Sequence, residues 1–180
     1  MSSAPTKYNN IQVALHLLTA FLIVMMLIGG HFILEATPNS DPTKNDALKS
    51  HMIIGGVILV LTLFRIVWKR KSAQPPHAET GNAFLDKLGI AAHYALNILT
   101  LIVALSGIGI AVQAGLAEIV FEGVGSLPKD FWGYPPRIAH GIFTKLLVAL
   151  VLVHILGGLY HQLFLKDALF KRIWFGKSES

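Results

Sequence analysis

Four long apolar stretches alternate with short polar segments along this chain. They cover about residues 9–34, 50–68, 88–117 and 138–165, and the only charged residues inside them are Arg65 and Lys145. Each reaches or approaches the roughly 20 residues that a helix needs to cross about 30 Å of hydrocarbon. Unpaired backbone polar groups cannot be left in lipid, so these stretches must be helical. The pattern predicts an all-α fold, an integral membrane four-helix bundle.

The prolines agree with these limits. All eight lie outside the apolar stretches, where a missing backbone donor costs little: Pro5, Pro38, Pro42, Pro75, Pro76, Pro128, Pro135 and Pro136. The first stretch lacks the combination of a charged n-region and a small-residue cleavage site after it, so we expect it to be retained. We therefore expect one transmembrane domain over about residues 8–174.

Composition excludes several classes of protein. Hydrophobic residues make up 53% of the 180 residues and charged residues 14%, whereas a soluble domain has about 25% charged residues. A chain this short cannot bury so much apolar surface in its own core, so lipid must cover the excess. The absence of cysteine excludes iron–sulfur clusters, thiolate zinc sites and covalently attached haem.

The basic residues predict the orientation. One side of the predicted membrane carries Lys7, Lys69, Arg70, Lys71, Lys87, Lys166, Lys171, Arg172 and Lys177, and the other carries only Lys44, Lys49, Lys129 and Arg137. Cytoplasmic loops hold the excess of Lys and Arg, so both termini are expected in the cytoplasm. The net charge of +5 then reflects topology, and we expect no nucleic-acid partner.

The eight histidines carry the candidate chemistry, because ionisable groups inside a span are costly. His140 and His154 are fourteen residues apart on the fourth span. That spacing is about 21 Å of helix and about 40° short of four full turns, so both rings face one side at different depths. Such a pair suits two stacked haems, each with a second ligand from another helix. A zinc site would need three or four ligands at one level.

The depth of each histidine within its span limits which residue can be the second ligand, but it leaves more than one candidate at each level. At the outer level His51 matches His140, with His31 as a competitor. At the inner level His16 and His93 both match His154. His161 is expected near a span end and His77 in a solvated loop. A single intramembrane histidine can also serve simply as a hydrogen-bonding group between helices.

Two basic residues within spans fit the same interpretation. Arg65 lies fourteen residues after His51, at the inner level, where a haem propionate would satisfy its charge. Lys145 can serve the outer haem in the same way or extend toward the interface. Glycines near the candidate ligands allow a flat macrocycle or another helix to approach.

With these residues in place, the chain resembles the bacterial cytochrome b561 family, which is similar to the haem-b membrane subunits of hydrogenases and formate dehydrogenases. The matching segments are Leu15-His16-Leu17-Leu18, Ser50-His51, Phe64-Arg65, Ala92-His93, Leu105-Ser106-Gly107, Ala139-His140-Gly141, His154, and His161 with Leu165-Lys166-Asp167. They extend over essentially the whole chain. The family often has Trp after the first ligand, where this chain has Leu17.

The resemblance implies two haem b groups, with His51 and His140 as axial ligands of the outer iron and His16 and His154 as those of the inner iron. It places His93, His161 and Lys145 beside the ligands or next to a quinone. The implied localisation is the bacterial inner membrane. One member of that family is a superoxide:ubiquinone oxidoreductase.

Three functional hypotheses follow. The first is electron transfer between an outer-face donor or acceptor and ubiquinone or another quinone, because two imidazoles on each iron leave no open site for oxygen; superoxide is one candidate donor for such an oxidoreductase. The second is a cytochrome b anchor subunit of a larger dehydrogenase or hydrogenase. The third is a haem-free ion carrier, which would be colourless. The outer loops hold more acidic than basic residues, which disfavours an anionic donor except at a local cationic mouth of Lys129, Arg137 and Lys145.

Overall fold

The structure is a computed structural model that describes residues 5–176, and the regular elements within that range are all helical. Lys177, which belongs to the predicted cytoplasmic set, lies outside the described residues. The helices are α1 (Asn10–Gly29, extended by a π-helical turn, Gly30–Glu35), α2 (Lys44–Lys71), α3 (Ala83–Gln113), α4 (Pro135–Tyr160, extended by a π-helical turn, His161–Leu165) and α5 (Leu169–Arg172); a short π-helical segment, Glu118–Glu122, follows α3.

Four of these helices are long and apolar enough to cross a membrane: Asn10–Glu35, Lys44–Lys71, Ala83–Gln113 and Pro135–Leu165. Their surfaces are strongly apolar and exposed, as at Phe32 (70% exposed) and Val112 (75%). Exposed apolar surface on this scale requires lipid as its solvent. The predicted all-α membrane four-helix bundle is therefore confirmed.

The helices extend beyond the apolar stretches at several ends. α2 includes Lys44 at its start and the basic residues 69–71 at its end, because a helix continues beyond the hydrocarbon, where its charged groups are solvated or find hydrogen-bond partners. α3 starts earlier than predicted, after the N-cap Asn82, and ends at Gln113, shortly before Gly115 with a φ of 60°. The length of a charge-free stretch therefore predicts the part of a helix that lies in hydrocarbon, but it does not predict where the helix begins and ends.

Two prolines depart from the expectation. Pro135 and Pro136 lie in the first turn of α4 and not outside the helix. The first backbone N–H groups of a helix have no intrahelical acceptor, so proline is tolerated there. The positions of Pro135 and Pro136 thus predicted where the fourth apolar span begins, but the helix itself begins one turn earlier and includes both prolines.

The two ends of the described chain meet at one end of the bundle. Tyr8 N donates to Arg172 O at 3.1 Å, and the Arg172 guanidinium donates to Pro76 O at 3.1 Å. We call this end the inner end and the opposite one the outer end. At the outer end a small apolar cluster closes the bundle, formed by Leu48, Ile110, Leu116 and Val120.

The packing of the four spans is uneven. α3 packs extensively against α4, α1 packs against α2, and α2 against α3, whereas neither α1 nor α2 has more than a few close backbone contacts with α4. Inside the bundle, the backbone of α4 is thus set apart from those of α1 and α2. The candidate histidines lie across this separation.

Candidate functional site

The outer histidine pair joins α2 to α4. The ring centroids of His51 and His140 are 6.1 Å apart, and the ring planes are inclined at 66°. Both residues are half-buried. Sequence depth left His31 as a competitor, but its side chain is 69% exposed and contacts Glu35 at 3.1 Å. The structure therefore brings His51, and not His31, to His140.

α3 fixes the orientation of the His140 ring. Nδ1 of His140 lies 2.9 Å from the carbonyl oxygen of Val103 and 3.1 Å from Oγ of Ser106. A carbonyl can only accept, so Nδ1 carries the proton and Nε2 is the unprotonated nitrogen. A β-carbon at Gly107 would lie 3.3 Å from Cε1 of His140, so glycine at that position allows the ring to approach α3. Imidazoles that ligate metals usually have such an acceptor on the second nitrogen.

Three histidines converge at the inner level. His154 on α4 has its ring centroid 6.3 Å from that of His16 on α1 and 5.0 Å from that of His93 on α3. The corresponding inclinations are 78° and 79°. His16 and His154 are half-buried, whereas His93 is exposed.

The centroid distances discriminate among these pairs. A metal about 2 Å from each of two imidazole nitrogens separates the ring centroids by about 6 Å. Both ring planes then contain the metal–nitrogen axis, so any angle between them is allowed. The distances of His51–His140 (6.1 Å) and His16–His154 (6.3 Å) fit this requirement, and that of His93–His154 (5.0 Å) is too short. Three imidazoles meet at the inner level, yet no group of three or more metal-ligating side chains within residues 5–176 has the spacing to hold a single ion.

Arg65 lies at the inner level. Its Nη2 is 3.4 Å from Nδ1 of His16, and the residue is half-buried. Three residues further along α2, Nε1 of Trp68 is buried and has no hydrogen-bond partner within the described residues. A guanidinium and an unpaired indole N–H on one helix face form a donor pair that a carboxylate can satisfy. These donors fit a propionate-bearing group such as haem b beside His16.

His161 forms a second polar site at the inner end of α4. Nδ1 of His161 is 2.5 Å from a carboxylate oxygen of Asp167, and the two side chains are 13% and 26% exposed. Lys166 and Ala168, on either side of Asp167, have φ values of 54° and 56°, a left-handed conformation that is costly for residues other than glycine. The chain therefore accepts local strain where it directs Asp167 toward His161.

The predicted cationic mouth is divided at the outer end. Lys129 and Lys145 are exposed, while Arg137 lies 3.9 Å from Glu35 and stacks on the Trp132 ring with 4.6 Å to the centroid. Only Arg137 extends along α4 beside the candidate ligand, because its Nη1 would be 3.1 Å from a β-carbon at Gly141. The predicted three-residue cluster is therefore a single cation near His140.

Sequence analysis assigned no role in the structure of the site to three of its residues. Val103 acts through its backbone carbonyl, which no residue type reveals. Lys44 was predicted only as a loop cation, yet it is 5% exposed, and its ammonium group donates to the carbonyls of Leu34 and Thr37. Ser106 belongs to a matching segment, and a hydroxyl within an apolar span is the signal that could have singled it out.

Comparison with known proteins identifies the family of this chain. A family model described as prokaryotic cytochrome b561 matches residues 7–176. A cytochrome b562 of Cereibacter sphaeroides is 29% identical over 170 residues, which cover 92% of this chain and 94% of that protein. The chain belongs to the prokaryotic cytochrome b561 family and is a multi-pass membrane protein of haem b electron transfer.

Proposed function

We propose that this protein holds two haem b groups and exchanges electrons between a donor or acceptor at its outer face and a membrane quinone. His51 and His140 would hold the haem at the outer level, and His16 and His154 would hold the one at the inner level. We place the protein in the bacterial inner membrane with both termini in the cytoplasm.

One observation carries this proposal. Two histidine pairs at different depths of the bundle have centroid separations of 6.1 and 6.3 Å, close to the roughly 6 Å expected for two imidazoles sharing a metal. Each pair joins α4 to a helix that makes few close backbone contacts with it. We infer that a flat group lies between helices so arranged, and haem b is the group that the family supplies.

The test is the haem content of the purified chain. We expect two b-type haems per chain, with a visible spectrum that sharpens on reduction. His140→Ala and His154→Ala are each expected to lose one haem, because each substitution removes an axial ligand. His31→Ala is the matched control, since its ring is exposed and contacts Glu35. A colourless protein would reject the proposal and favour the ion carrier.

The pair of His161 and Asp167 supports a quinone site at the inner end. Reduction of a quinone takes up two electrons and two protons, and a hydrogen-bonded imidazole and carboxylate can supply protons. The two side chains are 2.5 Å apart and partly exposed. Asp167→Asn is expected to lower the rate of quinol formation by about tenfold or more with an unchanged haem spectrum, and Glu79→Gln, at an exposed position of the inner loop, is the control.

Superoxide is the proposed outer-face donor. Two superoxide anions would give two molecules of dioxygen and the two electrons that convert one quinone, with two protons, to quinol. Arg137 is a cation beside Gly141, the residue that follows His140, and a local positive charge attracts an anion. Purified protein should form quinol on addition of superoxide. Without quinol, co-purification of a dehydrogenase or hydrogenase subunit would favour the anchor-subunit function.

A further inference from the structure

The ring nitrogens of the two histidine pairs face different groups. At the outer pair, Nδ1 of His140 donates to Val103 O at 2.9 Å, and Ser106 Oγ is 3.1 Å away. At the inner pair, Nη2 of Arg65 lies 3.4 Å from Nδ1 of His16. The outer ring therefore faces acceptors, and the inner ring faces a cation. A cation, Arg137, also lies near the outer pair, but it is 3.9 Å from Glu35, whose carboxylate opposes its charge.

The Ser106 hydroxyl acts as an acceptor toward His140. Its own proton is directed to Val103 O, to which it donates at 2.8 Å. A lone pair of Oγ therefore faces Nδ1 of His140, and the ring N–H is shared between two oxygens. Hydrogen bonding of the second ring nitrogen to an acceptor makes an imidazole a stronger electron donor to a metal.

Arg65 has the opposite effect on His16. A guanidinium carries donors only and stays charged, so it offers no acceptor to the N–H of a ligating His16. A propionate paired with Arg65 would have its negative charge offset by the guanidinium, and an unpaired carboxylate would favour the oxidised, more positive form of a nearby metal group. Arg65 is half-buried, so solvent only partly screens its charge.

We propose that Val103 and Ser106 at the outer pair and Arg65 at the inner pair separate the two reduction potentials, so that the group held by His51 and His140 has the lower potential. This inference rests on the proposed function, since it requires a haem at each pair. The order of the potentials then sets the direction in which electron flow across the bundle is downhill, from the outer end to the inner end. Val103, Ser106 and Arg65 are positioning residues that act through the ligands.

The test is a spectroelectrochemical redox titration of the purified holoprotein, which needs no turnover. We expect two resolved midpoint potentials. Each is assigned by comparison with His51→Ala and His16→Ala, which are expected to retain only the inner and only the outer haem, respectively. Two haems with equal potentials, or with the inner one lower, would overturn the inference and leave the proposed function intact. A preparation without haem would instead contradict the proposed function.

Variants test the assigned residues. Arg65→Gln should shift the higher potential downward and leave the lower one unchanged, and Arg65→Lys, which keeps the charge, should shift it less. Ser106→Ala should shift the lower potential upward, because one acceptor is lost. A rise of the higher potential in Arg65→Gln would mean that Arg65 does not raise that potential, and would overturn the assignment at the inner pair. If Arg65→Gln does not fold, Ser106→Ala still decides, because an unchanged or lower outer potential contradicts the inference.

Discussion

At the scale of single residues, the outer pair depends on how closely His140 approaches α3. The ring bonds to the Val103 carbonyl at 2.9 Å, and Gly107 has no side chain to prevent this approach. The lack of a side chain at Gly107 is thus part of what allows the His140 ring to bond to α3.

Gly107→Ala tests this close approach. The added β-carbon would lie 3.3 Å from Cε1 and 3.6 Å from Nδ1 of His140, so the ring must move away from the carbonyl. We expect weaker retention of the outer haem and a loss of about 1–3 kcal/mol of stability, measured by haem content and thermal unfolding in detergent. Gly89→Ala on the same helix is the control, because its β-carbon would meet no atom within 4 Å. Equal haem content in the two variants would contradict the explanation.

Two buried threonines differ in whether their hydroxyl groups are satisfied. Thr19 (0% exposed) donates to Leu15 O at 2.6 Å. Thr62 (1% exposed) has no hydrogen-bond partner within residues 5–176. Both are in spanning helices, where an unpaired polar group is costly.

Replacement of each threonine by valine should change stability in opposite directions. Thr62→Val removes an unpaired hydroxyl and is expected to raise the free energy of unfolding by about 1 kcal/mol, whereas Thr19→Val should lower it by about 1 kcal/mol. Thermal unfolding in one detergent compares the two variants directly. Destabilisation by Thr62→Val would indicate that its hydroxyl has a partner in the membrane.

At the scale of helices, Lys44 at the start of α2 fixes the outer end of α1. Its ammonium group donates to the carbonyls of Leu34, in the π-helical turn of α1, and of Thr37. The last carbonyls of a helix have no intrahelical donor, so a lysine from the next helix satisfies them. The connection between α1 and α2 is thereby anchored to the start of α2.

Lys44→Met keeps the apolar stem and removes the donor. We expect a loss of about 1–3 kcal/mol of stability, because two carbonyl groups lose their partner. Proteolysis within the connection between α1 and α2 should become faster. Lys129→Met, at an exposed position of the same end, is the control for loss of positive charge, and the same effect in both variants would exclude a capping role.

At the scale of the whole molecule, both described ends of the chain meet at the inner end, as Tyr8 and Arg172 show. A chain that crosses the membrane an even number of times returns to the side on which it started, so four crossings place both ends together. The orientation in the membrane is a separate matter, and the distribution of Lys and Arg predicts it.

Reporter fusions test the orientation. A fluorescent protein fused to the C-terminus should fold and fluoresce in the cytoplasm. A protease site inserted near Gly125, in the exposed segment between α3 and α4, should be cut from the periplasmic side of intact spheroplasts. The reverse pattern would place the termini outside and contradict the prediction from the basic residues.

Much of the molecule could be predicted from local sequence pattern. The lack of charge over four stretches predicted four spanning helices, and the fourteen-residue spacing of His140 and His154 placed two rings on one face. These properties follow from helix geometry and the cost of charge in lipid. Membership of the family agrees with the segments around His16 and His51. The assignment of the four histidines as ligands stays a prediction.

Only the tertiary structure decided which side chains meet. It brought His51 rather than His31 to His140, gave His16 and His93 different distances to His154, and placed a carbonyl of α3 against the His140 ring. Sequence determines the depth of each residue along its helix. The rotation of a helix about its own axis, and the choice of helices beside it, depend on packing between distant parts of the chain. Backbone groups such as Val103 O escape sequence analysis because every residue has a carbonyl, and folding alone determines which one is used.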